Sequence, residues 1–448
     1  MPEDFGLLGM AMVFASLTDS FVDFGFGNAV IQKQEVNKIQ LSTVFWINML
    51  MALVLGVIMY FSASLVAFYF EMPKLEPITR LMSLTFLIKG LSTLQNALYK
   101  KDLDFKTPFK VNLFAGITSG ILGVYLAYTG FGVYSLIYSQ IAGWIASTAL
   151  IWYFSKWKPS FAFKLSEVKD LWSFGYKYSL SIFIDSIFLR LDTLVIGKLF
   201  NASTLGLFYK AQSLNKLVVQ YAFTSFSGVL FPSLSKLAHD KEKLREVLIR
   251  VLHLVSFTTF LFAGLMFVNA KSVIVILLTD KWIGSVPIFK ILAAFSFIYT
   301  IPTILNTPIL SIGKSGAILK VEVIKKSLYL LAIPVAICYG FYAYILATVI
   351  AAIVGIVINL GLVQKLFNYS ILSCLKLFIS YAVIFLIIIC LDFILGDFEM
   401  NNFISVAIKT LIYITLYVGF NAFVIKSEGF KEFKIILTGL LTKLKIIK

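Results

Sequence analysis

Runs of about 20 consecutive apolar residues recur along the chain, each long enough to cross the hydrocarbon core of a bilayer. In hydrocarbon every backbone N–H and C=O must find its partner within the protein, which predicts a bundle of spanning helices. The runs fall near 4–31, 42–69, 78–99, 108–128, 132–154, 172–199, 204–232, 248–279, 286–309, 321–339, 342–363, 377–395 and 403–425. Composition agrees: 59% of the 448 residues are hydrophobic and 14% charged, where globular domains are about half apolar and a quarter charged. The reading is an all-α polytopic membrane protein of about thirteen spans.

The net charge of +16 would suggest nucleic acid in a soluble protein, but here its location decides. Alternate connections are basic, among them "QKQEVNK", "YKKDLDFK", "SKWKPSFAFKLSEVK", "SKLAHDKEKLRE" and the tail from Lys426. The others, such as "TGFG", "NAS", "YGFY" and "GDFEMNNF", are short and nearly free of Lys and Arg. This is the positive-inside pattern, which puts the basic loops and the C-terminus in the cytoplasm. The excess charge reports orientation and contact with anionic membrane lipid, with no nucleic-acid partner. The last stretch, "GFKEFKIILTGLLTKLKIIK", is basic and partly amphipathic and suits the inner membrane surface.

Cys338, Cys374 and Cys390 are scattered, without a Cys-x-x-Cys, and His239 and His253 lack paired ligand spacing. No metal site, disulfide framework or cofactor is expected. "SIGKSG" contains Gly-Lys-Ser, but Pro308 stands where a phosphate-binding loop needs its first glycine, so no ATP site is supported. The short external loops leave no room for the catalytic domain of a polymerase or ligase, and the chain is not expected to be an enzyme.

The chain repeats itself. "DFGLLGMA" (from Asp4) aligns with "TLGLFYKA" (from Thr204), matching Gly6 with Gly206 and Ala11 with Ala211. "GFGVYSL" (from Gly130) aligns with "GFYAYIL" (from Gly340). The offsets, 200 and 210 residues, differ by only ten over most of a lobe, as a parallel duplication requires. A full span precedes "GLFYKA" in the second half, whereas only "MPEDF" precedes "GLLGMA", so the first lobe is expected to lack its first helix. The expected organisation is an N-lobe of five spans over 1–154, a cytoplasmic linker at 155–171 and a six-span C-lobe over 172–366. Two accessory spans follow over 367–425, then a basic cytoplasmic tail at 426–448.

The stretch "PEDFGLLGMAMVFASLTDSFVDFGFGNAVIQ" resembles the second helix of bacterial polysaccharide transporters, the Wzx-type lipid-linked oligosaccharide flippases of the multidrug/oligosaccharidyl-lipid/polysaccharide exporter superfamily. "LWSFGYKYSLSIFIDSIFLRLDTLVIGKLFNASTLGLFYKAQSL" is similar to the start of their second lobe, and the resemblance is strongest to the colanic-acid exporter branch. It implies two six-helix lobes plus two accessory helices around a central cavity in the bacterial inner membrane. The implied activity is alternating-access translocation of undecaprenyl-pyrophosphate-linked oligosaccharide. A polysaccharide polymerase and chain-length machinery are its implied partners. A multidrug exporter of the same fold and a lipid II flippase are the rival readings.

Seven of the basic residues inside spans or at their edges stand out: Lys89, Lys177, Arg190, Lys210, Lys216, Lys290 and Lys409. Gln212, Lys216 and Gln220 recur every four residues and form one polar stripe, which is costly against lipid and so should face a hydrated interior. Arg190 carries a guanidinium suited to phosphate oxygens. Arg190, Lys216, Lys210 and Lys89, with Gln212 and Gln220, are the candidate substrate-binding residues; structural pairing with carboxylates such as Asp185 and Asp192 is the alternative. Asp19 and Asp23 share a face of an otherwise apolar helix, about 40° apart. They read as a proton or cation coupling site, as counter-charge for Arg190 or Lys216, or as residues near a helix end set by Gly25 and Gly27.

Overall fold

The structure is a computed structural model that describes residues 1–33, 35–102, 104–217, 234, 240–312, 314–395 and 402–443. Among these residues the regular structure is helical, with no strand. The chain divides into two units, Met1–Gly206 and Leu207–Lys448.

In the first unit, helix α1 (Pro2–Val22) starts at a proline, whose missing N–H is not needed in a first turn. It stops where Phe24 (φ 46°) and Gly25 (φ 72°) enter the left-handed region. The short α2 (Phe26–Gln32) follows. Its ends are closed by side chains, because terminal N–H and C=O groups have no partner inside a helix. Asp23 accepts the Gly27 N–H at 2.8 and 3.0 Å. The Lys101 ammonium donates to the carbonyls of Val30, at 2.9 Å, and Lys33.

Helices α3 (Lys38–Phe61), α4 (Ala63–Phe70) and α5 (Leu75–Lys101) come next, then the pair α6 (Lys106–Tyr128) and α7 (Val133–Phe154). Burial in lipid supplies no hydrophobic drive between spanning helices, so close packing of small residues holds them together. A side chain at Gly90 of α5 would meet Ala52 of α3 at 2.5 Å; one at Gly143 of α7 would meet Ser119 of α6 at 3.0 Å. The turn between α6 and α7 uses positive φ at Gly130 and Gly132, which glycine adopts without strain.

The segment expected as a linker is folded onto the start of α3. Ser42 bonds to the hydroxyl and backbone N–H of Ser160, both at 3.0 Å. Trp46 donates to the Ser160 carbonyl at 2.9 Å and stacks on Phe161. Helix α8 (Lys169–Leu199), expected to open the second lobe, groups with the first unit. It runs along α1 and α2: Trp172 stacks on Phe24 at 4.7 Å, and Gly197 leaves room for Met10 and Phe70. Lys198 pairs with Glu71 at 2.7 Å.

The two glycines that the repeat equates meet a common neighbourhood. A Cβ on Gly6 would fall 1.8 Å from the Ala202 carbonyl oxygen, and one on Gly206 would fall 1.8 Å from that of Pro2. Pro2 and Ala202 are themselves 200 residues apart, so the contact is reciprocal. The described part of the next helix, α9, is 202–217.

The second unit is built around α10 (Lys241–Val268), whose first N–H groups are capped by Asp240 through the Lys243 N–H at 3.1 Å. Then come α11 (Ala270–Leu278), α12 (Ser285–Ala294), α13 (Phe297–Ser311), α14 (Ser315–Leu330), α15 (Ala332–Tyr339) and α16 (Phe341–Phe367). The chain ends in α17 (Ile371–Leu395), α18 (Asn402–Gly419) and α19 (Glu428–Lys443). Pro334 cannot donate to the carbonyl four residues back, which explains the break between α14 and α15 at Leu331. The core gathers Leu252, Phe257, Phe260, Ile304, Leu360, Tyr381 and Tyr417. Helix α18 joins it through buried Ser405, Lys409, Tyr413 and Tyr417, one per turn. Tyr413 and Tyr417 donate to the carbonyls of Phe260 and Phe257, each at 2.9 Å, and Gly264 admits the Tyr413 ring. Helix α19 docks on α10 through Phe430 and Phe433 against Phe257.

Seven segments among the described residues are long and apolar enough to cross a membrane: Lys38–Phe61, Lys106–Tyr128, Lys241–Val268, Ser285–Ser311, Phe341–Phe367, Ile371–Cys390 and Asn402–Val424. Of the other expected spans, 4–31 is broken at Asp23–Gly25 and 321–339 at Leu331, while 204–232 extends beyond the described residues. The protein is an all-α, multi-pass membrane protein.

Candidate functional site

Three of the seven basic residues singled out in the sequence, Lys89, Lys210 and Lys290, lie over aromatic faces. In the first unit, the Lys89 ammonium of α5 lies 4.7 Å from the centre of the Trp144 ring of α7. Its surroundings are polar: Thr93 bonds the Lys89 carbonyl at 2.8 Å, and Thr148 donates to the Ile88 carbonyl at 3.2 Å. Gln140, one turn before Trp144, donates to the Met12 sulfur at 3.9 Å. A ring face stabilises a cation without cancelling its charge.

Arg190 is half-buried on α8 and makes no salt bridge among the described residues. Asp192, two residues on, is also half-buried. Asp23 lies at the other end of α8, beside the Phe24–Trp172 stack. Arg190 is 18 residues from Trp172, about 27 Å along a helix, so Asp23 does not reach it. The Asp23 carboxylate instead joins α1, α2 and α3, taking the Gly27 N–H and an Asn48 amide hydrogen at 3.0 Å. With these bonds Asp23 closes the helix end beside Gly25. The side chains of Lys177, Asp19 and Asp185 lie outside the described residues, as does all of Gln220.

In the second unit the Lys210 ammonium lies 5.8 Å from the centre of the Trp282 ring, and Lys290 lies 5.2 Å from that of Phe267. Lys216 is exposed and Gln212 half-buried on α9. Lys409 is buried, on the face of α18 that carries Tyr413 and Tyr417. His253 is half-buried, with Nδ1 3.5 Å from the Tyr381 hydroxyl; His239 lies outside the described residues. No group of His, Cys, Asp and Glu among the described residues could hold a metal ion.

Two features escaped the sequence reading. Asn48 and Gln95 are fully buried in apolar helices of the first unit, and Gln95 has no hydrogen-bond partner for either amide atom among the described residues. On α14, Lys325 pairs with Glu322 at 2.7 Å, with Lys325 only 19% exposed. A periodicity count would have found it, since Glu322, Lys325, Lys326 and Tyr329 follow at i, i+3, i+4 and i+7.

Comparison with known proteins gives this geometry a context. The chain is 29% identical over 287 residues to the teichuronic acid biosynthesis protein TuaB of Bacillus subtilis (strain 168), covering 63% of this chain and 58% of that protein. It thus spans somewhat more than half the length of that relative. It is 24% identical over 341 residues to the lipopolysaccharide biosynthesis protein WzxC of Escherichia coli (strain K12), covering 74% and 68%. Among solved structures, the lipid II flippase MurJ in an inward closed conformation superposes with TM-score 0.75 at 19% identity, over 95% of this chain and 94% of that one. An inward-facing multidrug-resistance transporter of the MATE family superposes with TM-score 0.63 at 13% identity, over 82% and 92%. These likenesses show the transporter fold expected from the sequence. The model of the polysaccharide biosynthesis protein family matches residues 1–287, well over half of the chain, and the chain belongs to that family.

Proposed function

We propose that the protein is a flippase that carries undecaprenyl-pyrophosphate-linked oligosaccharide across the bacterial inner membrane, by alternating access and without covalent chemistry. The duplicated lobes would be 1–154 and 172–366, with 367–425 accessory and the tail cytoplasmic. The observation that carries this reading is the placement of basic side chains within the apolar helices. Lys89 and Lys210 rest on indole faces, and Arg190 stands half-buried without a salt bridge among the described residues. Charge inside a membrane is costly and marks a pathway by default. A diphosphate is the anion that such cations would offset on its way through the bilayer. Lys216, Gln212 and Gln220 remain candidate substrate contacts on the strength of their spacing in the sequence. Asp19, Asp23, Asp185 and Asp192 are left for counter-charge or ion coupling, with Asp23 serving first as a helix cap. Family membership supports the pathway, and a polymerase and chain-length proteins would act on the product.

The test is complementation of a flippase-deficient strain, with surface polysaccharide and membrane protein levels measured together. Arg190→Ala and Lys216→Ala should each abolish export at normal protein level, and Lys216→Arg should retain more export than Lys216→Gln. Export of a cationic drug, without complementation, would replace this reading by the multidrug one.

A further inference from the structure

The segment that joins α7 to α8 is held as a strap against α3. The Ser160 N–H donates to the Ser42 hydroxyl at 3.0 Å and the Lys164 N–H to the Thr43 hydroxyl at 3.1 Å. The Ser160 carbonyl accepts from the Trp46 indole at 2.9 Å, and the Glu167 carbonyl from the Gln40 amide at 2.8 Å. So fixed, the strap presents Phe161, Phe163 and Leu165, every second residue, at 93%, 54% and 60% exposure. A lone exposed apolar side chain needs no explanation, but a row of three on an ordered segment marks an interaction surface.

The helix beneath the strap shows what covers this row. Helix α3 is long and apolar enough to span a membrane. Ser42 and Thr43 are buried under the strap, and Phe161 stacks on Trp46 with ring centres 5.7 Å apart. Leu50, Leu53 and Val57 follow Trp46 at i+4, i+7 and i+11, on the same helix face, and all three are exposed. That part of a spanning helix faces lipid, so the strap continues a lipid-facing surface. Behind it Phe45 packs edge-on against Trp46, Trp152 and Trp157, an indole cluster of the kind found where hydrocarbon meets headgroups. Lys156, Lys158 and Lys164 flank the apolar row and are exposed. Lys164 pairs with Glu167 at 2.8 Å, whereas Lys156 and Lys158 make no ion pair among the described residues.

We infer that the strap is an interfacial anchor for anionic phospholipid: Phe161, Phe163 and Leu165 enter the acyl-chain boundary of the bilayer, while Lys156 and Lys158, with Lys164 beside them, meet headgroup phosphates. Apolar insertion and basic charge are the two signals that together hold a segment at an anionic membrane surface. Side chains of α3 take backbone N–H and C=O groups of the strap, so it enters the boundary without leaving those groups unpaired. A soluble partner seated on the same row would run into lipid at Leu50, one turn beyond the Phe161–Trp46 stack. The anchor serves whatever substrate is carried, so it stands or falls apart from the flippase reading.

The experiment uses the purified full chain carrying Phe163→Trp, with the fluorescence of the wild type subtracted. In bilayer nanodiscs the introduced indole should be quenched by phospholipid brominated on its acyl chains and little by aqueous acrylamide. In detergent, titration with brominated phosphatidylglycerol or brominated phosphatidylcholine reads affinity at the strap itself, and phosphatidylglycerol should bind more tightly. Adding Lys156→Gln and Lys158→Gln should weaken phosphatidylglycerol binding about fivefold for each lysine, with phosphatidylcholine binding and thermal unfolding unchanged. Lys156→Arg with Lys158→Arg should keep the preference. Quenching by acrylamide alone would overturn the inference, as would protection from both quenchers, the result expected under a protein partner or a second copy. Equal affinity for the two lipids, or a preference that survives both glutamines, would overturn it as well. Leu165→Trp repeats the measurements at a second exposed position should Phe163→Trp not fold.

Discussion

Adding a single methyl group at Gly6 should destabilise this protein, against the usual effect of the substitution. In a helix interior, Gly→Ala ordinarily stabilises by roughly 0.5–1 kcal/mol. Here the new Cβ would lie 1.8 Å from the Ala202 carbonyl oxygen and 2.6 Å from its carbon. The obstacle is backbone rather than a flexible side chain, so the two helices must part by well over an ångström. Overpacking of this kind costs about 1–3 kcal/mol, which outweighs the propensity gain. Gly206→Ala meets the Pro2 carbonyl oxygen at the same 1.8 Å and should cost a similar amount. Opening the crossing once accommodates both methyls, so the double variant should cost less than the sum of the singles, a coupling expected only of sites that share one contact. Gly120→Ala on α6, where a Cβ meets nothing within 4 Å, is the control and should be neutral or stabilising. Thermal unfolding of purified protein in detergent, followed by intrinsic fluorescence, measures all four. Additive single effects, or a Gly6→Ala midpoint equal to that of Gly120→Ala, would refute the close crossing.

Asp23→Ala should lower the unfolding midpoint by the loss of a helix cap and an amide contact, about 1–3 kcal/mol, whereas Asp23→Asn keeps part of it; an unchanged midpoint in Asp23→Ala would remove the capping role. The Asp240 carboxylate is held below its usual range first by the Lys243 N–H and then by the Lys243 ammonium. A lowered folded value means that its contribution is full above the unfolded carboxylate range and fades as pH falls through the folded value, so the midpoint difference between wild type and Asp240→Ala should be largest near neutrality and vanish in acid. A reporter fused after Lys448 should behave as cytoplasmic and one inserted between Gly396 and Asp397 as external; the opposite pair of signals would reverse the orientation read from the loop charges.

The candidate site was legible to the extent that charge in an apolar run is legible. Lys89, Arg190, Lys210 and Lys216 stand out because the bilayer makes every buried charge an exception, and that cost is a property of the residue and its flanks. Their partners were not legible. Trp144 and Trp282 are 55 and 72 residues from the lysines that they hold, and nothing local joins them.

Length, hydropathy and loop charge settle by themselves that this chain is an all-helical membrane protein, since those terms act residue by residue against a fixed solvent. Local sequence similarity also matched Gly6 to Gly206 as repeat positions. That the two glycines sit at one reciprocal crossing was decided only by tertiary packing, because a glycine shows its purpose only when another backbone comes close enough to need the space. The same holds for Asp23. Four residues from Asp19 in a greasy helix, it read first as counter-charge, then as coupling site or helix end. What the fold adds is the turn at Phe24 and Gly25, which brings the Gly27 N–H and the Asn48 amide within 3.0 Å of its carboxylate. Those bonds exist only once three helices have met.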